Sequence, residues 1–400
     1  MARLLTGNAR GVAKALRRAA EAQRRYEADL ASIGEQTLDV ARDLGLEIAV
    51  LAARSVSPQL LQLAAAHPDA DICIAEPGNR IADARDALAG RVTFGAESVY
   101  EAAGRRDHIV MNAIVGAAGL PATLAGLDAG NRVALANKES LVAGGPLVTD
   151  VRDRSGGELI PVDSEHSAIW QCLRGEDVTT VARIVLTASG GPFRGMAPTE
   201  LTAVTVEEAL AHPTWVMGPR ITIDSATLMN KAFEVIEAHF LFDVGYDSID
   251  VVIHPQSYVH SLVEFRDGVV KAELGPPDMR KPIRYAITAP DRPDGDPPAL
   301  GLAGRTLQFE APDLALYPAL DLGYEAGRRG GTATAVLNAA DEVAVEAFLD
   351  GRLSFPGIVR VVEETLNVVE AAPVTAIADV VAADREARAA ASRVVARLTV

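Results

Sequence analysis

From Gly34 onward the chain alternates two apolar rhythms. Short apolar or β-branched runs recur at 47–52, 71–75, 92–94, 108–111 and 132–136. Between them, at 35–44, 58–67, 82–89 and 120–129, apolar residues return every three or four positions. The first rhythm predicts strands and the second predicts amphipathic helices. Strand–helix alternation with short connections predicts a parallel, doubly wound sheet, hence an α/β fold. After residue 160 the pattern changes. Strands are expected at 158–163, 181–187, 250–253, 261–265 and 269–274, with a hairpin at Arg266-Asp267-Gly268. A run rich in Pro, Asp and Gly at 289–300 predicts a linker. Helical spacing at 319–328, 333–350, 355–369 and 374–398 predicts a terminal bundle. The expected order is a doubly wound, Rossmann-like N-terminal domain (1–160), a second α/β domain with its own sheet (161–290), a linker (291–315) and a C-terminal helical domain (316–400).

Charge narrows the function. A formal charge of −16 over 400 residues argues against a nucleic-acid partner, which selects a basic face. The two cysteines, Cys73 and Cys172, sit in apolar surroundings and read as buried thiols in a reducing compartment. No apolar run is long enough to cross a membrane, and the N-terminus has no signal-peptide pattern, so a cytoplasmic location is expected. Residues 1–30 differ from the rest. They carry about +4 while the remainder carries about −20, and Val12, Leu16 and Ala20 predict an Ala- and Arg-rich helix.

Three stretches hold the candidate chemistry. In the first, His212 to His239, Ser225, Thr227, Asn230 and Lys231 offer hydroxyl, amide and ammonium donors within seven residues. Asn230, Lys231 and Glu234 share one helical face at their spacing. Ser225 stands just ahead of an apolar run and suits a helix start, where an anion settles readily. The competing reading is an N-cap serine beside a surface Lys231–Glu234 pair. His212-Pro213-Thr214-Trp215, with Met217-Gly218-Pro219, reads as a hinged flap with an aromatic tip. In the second stretch, Asp163 and Glu165 lie two apart at a strand end and can face one ion. Glu234 would complete an all-oxygen site suited to Mg²⁺ or Mn²⁺ rather than Zn²⁺. The alternative is that Asp163 or Ser164 caps a helix and Glu165 is first-turn charge. In the third, a β-rich run ends in Ser189-Gly190-Gly191, a turn whose backbone N–H groups can wrap a phosphate. Alone, that signal is an ordinary turn.

These stretches resemble the 1-deoxy-D-xylulose 5-phosphate reductoisomerase family. The matching motifs are LANKES (Leu135–Ser140), PVDSEHSAIWQCL (Pro161–Leu173), LTASGGPFR (Leu186–Arg194), the flap and its helix, HPQSYVHS (His254–Ser261) and LGPPDMRKPI (Leu274–Ile283). They follow the family's order from about Gly34 onward. The resemblance implies an enzyme that rearranges 1-deoxy-D-xylulose 5-phosphate and reduces it with NADPH to 2-C-methyl-D-erythritol 4-phosphate. It implies Asp163, Glu165 and Glu234 as ligands of Mg²⁺ or Mn²⁺, with Co²⁺ a further candidate. Ser189, Ser225, Asn230 and Lys231 would grip the phosphate, and Lys138 and Ser164 would touch the sugar. His212 and Trp215 would close over them. His260 is the better candidate of the two histidines, His254 and His260, that flank one loop. Ser32, Ile33, Asn137, Glu139 and Gly218 would contact the cofactor. Arg54 and Ser55, at the end of a strand, suit a ribose 2′-phosphate, with a solvated loop arginine as the alternative. The family suggests a homodimer.

The N-terminus departs from this pattern. The family's GSTGSIG-type loop corresponds here to Ala28-Asp29-Leu30-Ala31-Ser32-Ile33-Gly34. Two of its three glycines are gone, and Asp29 would stand beside a phosphate. Either the true N-terminus is misread, by a frameshift or a wrong start, or the chain is a diverged paralogue. Such a paralogue would bind phosphosugar and metal with a lost or remodelled NADPH site.

Overall fold

The structure, a computed structural model, describes residues 33–78, 81–88, 90–215, 217–295 and 297–399. The expected helix at 1–30, the altered loop up to Ser32, and Val216 in the flap lie outside the described residues. Helix α1 (33–43) leads to β1 (Val50–Ala53), α2 (Pro58–Ala66), β2 (Asp71–Ile74), α3 (Ile81–Ala87) and β3 (Val92–Phe94). Then come α4 (Ala96–Ala103), β4 (Ile109–Asn112), α5 (Leu120–Asp128), β5 (Arg132–Leu135), α6 (Glu139–Ser155) and β6 (Glu158–Pro161). All pairings among these strands are parallel. They form two three-stranded sheets, β1-β2-β3 and β4-β5-β6, where the sequence predicted one. Among the described residues no strand bridges the two halves.

Helix α6 was not expected. Gly144-Gly145-Pro146 breaks its apolar rhythm, and Gly144 is itself non-helical (φ −127°, ψ 21°). The glycines are required by packing. A Cβ on Gly144 would lie 2.6 Å from Leu120, and one on Gly145 would collide with the ring of Phe240. α6 therefore lies close against α5 and against the helix that bears Phe240.

The central part continues with α7 (Ser164–Cys172), β7 (Val181–Ala188), α8 (Val206–Ala209), α9 (Pro219–Thr227) and α10 (Met229–Phe242). It ends with β8 (Ile249–Ile253), β9 (Val259–Phe265), β10 (Val270–Leu274) and α11 (Arg280–Thr288). Its sheet runs β10-β9-β7-β8, with β7 parallel to β8 and β9 antiparallel to both β7 and β10. The segment expected as a linker also carries structure. Glu310 bridges Ile253 at the outer edge of β8, which covers part of an open strand edge.

The C-terminal helices are α12 (Ala319–Arg329), α13 (Ala333–Leu349), α14 (Phe355–Val368) and α15 (Ile377–Leu398). Leu186 and Val263 of the sheet, Phe233 and Ile236 of α10, and Leu337, Phe348 and Ile358 of the bundle belong to one buried cluster. Each such side chain contributes about 2 kcal/mol when buried. The bundle therefore completes the core on which α10 rests.

Candidate active site

Parallel pairing brings the first two site residues together. Leu135 at the end of β5 stands opposite Pro161 at the end of β6. Lys138 and Asp163 follow those ends by three and two residues, and their side chains meet, Nζ to Oδ2, at 2.7 Å. Asp163 occupies the N-cap position of α7 but makes no cap bond, so its carboxylate is left for the site. Glu165 follows in the first turn, where Ser164 Oγ donates to its Oε2 at 2.6 Å.

α10 supplies the opposite wall. Asn230 Nδ2 donates to Glu234 Oε1 at 2.6 Å, and Lys231 donates to Glu234 Oε2. Lys231 also reaches Glu165 Oε1 at 3.0 Å, and Lys138 donates to Asn230 Oδ1 at 2.6 Å. Asp163, Glu165 and Glu234 each present an oxygen within 4.8 Å of the others. The Glu234 side chain is fully buried, whereas those of Asp163 and Glu165 are 17% and 19% exposed, so the cluster opens on one side.

The electrostatics follow from this crowding. Burial, then the neighbouring Glu165, pushes the Glu234 carboxyl up to about 8. Burial also acts to raise Asp163, but the Lys138 ammonium overrides it and holds that carboxyl well below the usual range. Burial acts to lower Lys138, yet Asp163, Glu234 and Glu237 keep it well above an ordinary lysine. Two ammonium groups thus stand where three carboxylates need positive charge. An all-oxygen donor set of this size and sign fits a hard divalent cation.

The phosphate candidates are distributed differently from expectation. Ser225 starts no helix, because it lies near the end of α9. The chain breaks at Leu228 (φ 59°), and α10 begins at Met229. An N-terminal anion site at Ser225 is therefore excluded. The Ser189 turn does sit beside it: Gly191 has φ +63°, and a Cβ there would lie 3.0 Å from the Ser225 carbonyl oxygen. Asn230 and Lys231, expected to be free donors, are engaged by carboxylates. Lys231 is buried, so the surface-pair reading is also excluded.

The flap stem is fixed by His212. Its Nδ1 accepts the amides of Thr214 and Trp215 at 3.2 and 2.9 Å. The ring proton therefore sits on Nε2 and is donated to Ser189 Oγ at 2.9 Å. Burial lowers the pKa of His212, consistent with a neutral ring. Gly191 N–H also donates to Ser189 Oγ, at 3.2 Å, so the serine's own proton remains available for an anion. Trp215 tilts over His260, with ring centroids 6.4 Å apart. His254 is enclosed, bonded to the Gln308 carbonyl and the Tyr258 amide.

The cofactor candidates occupy other strand ends. Asn137 and Glu139 follow β5, but both are tied to protein. Asn137 Nδ2 donates to Ile114 O, Gly116 O and Glu139 Oε2. Arg54 follows the end of β1, exposed and paired with Glu76 at 2.9 Å, and Ser55 beside it is half-buried. Ile33 begins α1 and packs on the apolar cluster of Val40 and Ile160. Gly218 caps α9.

Three further residues escaped the sequence reading. Buried His166 bonds through Nε2 to the Glu234 carbonyl, and its Nδ1 faces Glu237 at 3.4 Å. Arg220 holds Glu139. The spacing of Asp163 and His166 on one helix face was the available signal for His166, and the four-residue spacing of Arg220 and Asp224 was the one for Arg220.

The family model for 1-deoxy-D-xylulose 5-phosphate reductoisomerase matches residues 31–145. Models for the C-terminal domains of the same enzyme match 159–242 and 274–390. The protein of that name from Ralstonia nicotianae is 49% identical over 377 residues, covering 91% of this chain and 96% of the relative. The chain belongs to the 1-deoxy-D-xylulose 5-phosphate reductoisomerase family. The Nocardia farcinica member is 48% identical over 372 residues, covering 91% and 92%. The Zymomonas mobilis reductoisomerase, solved in complex with NADPH, is 42% identical and superimposes with a TM-score of 0.85 over 91% of this chain and 96% of that one. A reductoisomerase solved with NADPH, fosmidomycin and magnesium is 37% identical, again with a TM-score of 0.85, over 92% and 96%. The family's α/β architecture, with a parallel-sheet N-terminal region, a central sheet and a helical C-terminus, is the one described above.

Proposed function

We propose that this chain carries out the family reaction, NADPH-dependent rearrangement and reduction of 1-deoxy-D-xylulose 5-phosphate to 2-C-methyl-D-erythritol 4-phosphate. Asp163, Glu165 and Glu234 hold the divalent cation, Mg²⁺ or Mn²⁺. The observation that carries this reading is the approach of their three oxygens to within 4.8 Å beside two buried lysines. When bound, the ion gathers the substrate's oxygens and stabilises negative charge as the carbon skeleton shifts, and NADPH supplies hydride.

The chain's own residues set the geometry. Lys138 and Ser164, next to two of the carboxylates, orient the sugar. Ser189 offers a free hydroxyl proton to the phosphate, joined by Ser225 from the adjoining helix. Lys231 and Asn230 complete that grip, which requires them to exchange their carboxylate partners. His212 and Trp215 hold the flap over the site and exclude water, so that an aldehyde is reduced before it is hydrated. Asn137, Glu139, Gly218, Ile33, Arg54 and Ser55 face the cofactor, with Ser32 carried as a further contact on resemblance alone. The division at about residues 160 and 290 separates cofactor, catalytic and helical parts.

The test is NADPH consumption with substrate and Mg²⁺, together with NADPH titration. Product formation is expected. Substrate binding without NADPH binding would instead favour the paralogue reading that the altered loop at 28–34 motivates. Among the described residues no helix is long and apolar enough to cross a membrane. We place the chain in the cytoplasm as a homodimer, to be checked by cell fractionation and by light scattering.

A further inference from the structure

Arg220 occupies a place that an arginine ordinarily avoids. It is the second residue of α9, where free backbone N–H groups favour an anion. Its side chain is only 11% exposed. Four carboxylates surround it: Glu342 at 2.8 Å, Glu139 at 3.1 Å, Asp224 at 3.6 Å and Asp341 at 3.7 Å. Its Nη2 donates to Asn338 Oδ1 at 2.9 Å. A buried ionic network is commonly no more stabilising than apolar packing of equal volume. Stability alone therefore leaves it unexplained.

The network joins three parts of the molecule. Glu139 opens α6 and also accepts the Gly116 N–H at 3.1 Å and the Asn137 amide at 3.0 Å. Gly116 and Asn137 stand beyond the C-terminal ends of β4 and β5, where open parallel sheets bind ligands. Asn338, Asp341 and Glu342 belong to α13. Arg220 itself lies two residues past Gly218, at the end of the flap.

We propose that Arg220 is a positioning residue for the cofactor, acting through Glu139, and that it ties the flap stem to the cofactor side of the crevice. This rests on the reading of Glu139 as a cofactor contact. The guanidinium bonds Glu139 and Glu342 through Nη1 and Asn338 through Nη2. A lysine ammonium cannot span that set.

The experiment uses the full chain with Mg²⁺ and four variants: Arg220→Lys, Arg220→Met, Glu139→Gln and Arg388→Met. Arg388 bonds Glu342 at the far end of the network. NADPH affinity, KM and kcat are measured for each. Trp170→Phe backgrounds leave Trp215 as the one flap fluorophore, since the chain has 2 tryptophans. Arg220→Lys is expected to weaken NADPH binding about tenfold, with kcat at saturating cofactor within about threefold. It should also shrink the Trp215 response to NADPH. Arg220→Met should do the same or more, and Arg220→Lys carries the test if the Met variant fails to fold. Arg388→Met should leave NADPH affinity within about twofold. Unchanged affinity in Arg220→Lys, or equal losses in Arg220→Lys and Arg388→Met, overturns the proposal. If Glu139→Gln weakens NADPH and Arg220→Lys does not, only the positioning role falls. If Glu139→Gln has no effect, the cofactor reading of Glu139 falls and the proposal with it.

Discussion

Two buried charge clusters lie along the α9–α10 segment, one at the start of α10 and one at the start of α9, and they are built oppositely. In one, Asp163, Glu165 and Glu234 face the ammonium groups of Lys138 and Lys231, and part of the rim is open. In the other, Arg220 and Arg388 face Glu139, Asp224, Asp341 and Glu342. Lysine is a compact charge on a flexible stem, whereas arginine is a rigid fork that fixes several oxygens at once. The first cluster is therefore suited to exchanging its cations for a metal ion and a phosphate, and the second to staying as it is. Removing an acid from the first should cost activity. Removing the cation from the second should cost stability.

The largest expected effect tests the first half. Glu234→Gln keeps the side chain's shape but puts an NH2 group where one oxygen accepts from Asn230 or Lys231. Burial already holds Glu234 near 8, so losing the charge costs little, and the stranded donor should lower stability by about 1–3 kcal/mol. Turnover should fall by about 10³-fold or more. Near-normal kcat in this variant would remove Glu234 from the ligand set. Arg220→Met tests the second half. It removes the cation paired with buried Asp224 and Asp341, while Glu342 keeps Arg388 and Glu139 keeps the Gly116 and Asn137 donors, and it should cost about 3–5 kcal/mol in urea unfolding. Burial, the first cause, raises Asp224 to about 6 and Asp341 well above an ordinary aspartate. Part of the loss should therefore be recovered at pH 5, where those acids take up protons. A loss that does not depend on pH would mean that the damage is steric.

A proton should also distinguish the clusters. The folded value of Glu234, about 8, lies above its ordinary 4.5. The ion-free protein then holds this proton more tightly when folded than when unfolded. Its contribution to stability is greatest below about 4.5 and falls as pH rises towards about 8. Mg²⁺ requires the carboxylate, so binding at pH 7 should release the proton, and affinity should climb up to about tenfold per pH unit below 8. Calorimetry in two buffers of different ionisation enthalpy reads the release. None at pH 7 would place the ion elsewhere.

The two clusters were unequally visible in the sequence. Asp163 and Glu165 are two residues apart at a strand end, and Asn230, Lys231 and Glu234 share a helical face, so local spacing was enough to single them out. Of Arg220's partners only Asp224, four residues on, is within reach of a local period; Glu139 and Glu342, which its guanidinium hydrogen-bonds, are 81 and 122 residues away. Most strands and helices followed from apolar rhythm. α6 did not, because close packing against Leu120 and Phe240 demanded glycines that a rhythm treats as breaks. Ser225 was misplaced because the apolar run after it signals a helix start. The left-handed Leu228 that divides α9 from α10 is a backbone feature with no side-chain signature.

The smallest effect bears on the open rim. Ser189 Oγ accepts from His212 Nε2 and from Gly191 N–H, so its one proton is free to donate. Ser189→Ala removes that donor and strands the His212 N–H. A hydrogen bond to a charged group is worth about 1.5–3 kcal/mol, so KM for the phosphosugar should rise about tenfold or more. NADPH affinity and kcat at saturation should stay near their original values, because neither the carboxylates nor Glu139 is touched. The control is a substrate analogue lacking the phosphate. If Ser189 grips that group, wild type and variant should bind the analogue alike. If the variant is as impaired with the analogue as with the phosphosugar, the serine acts by holding His212 and the flap, and the phosphate is gripped elsewhere.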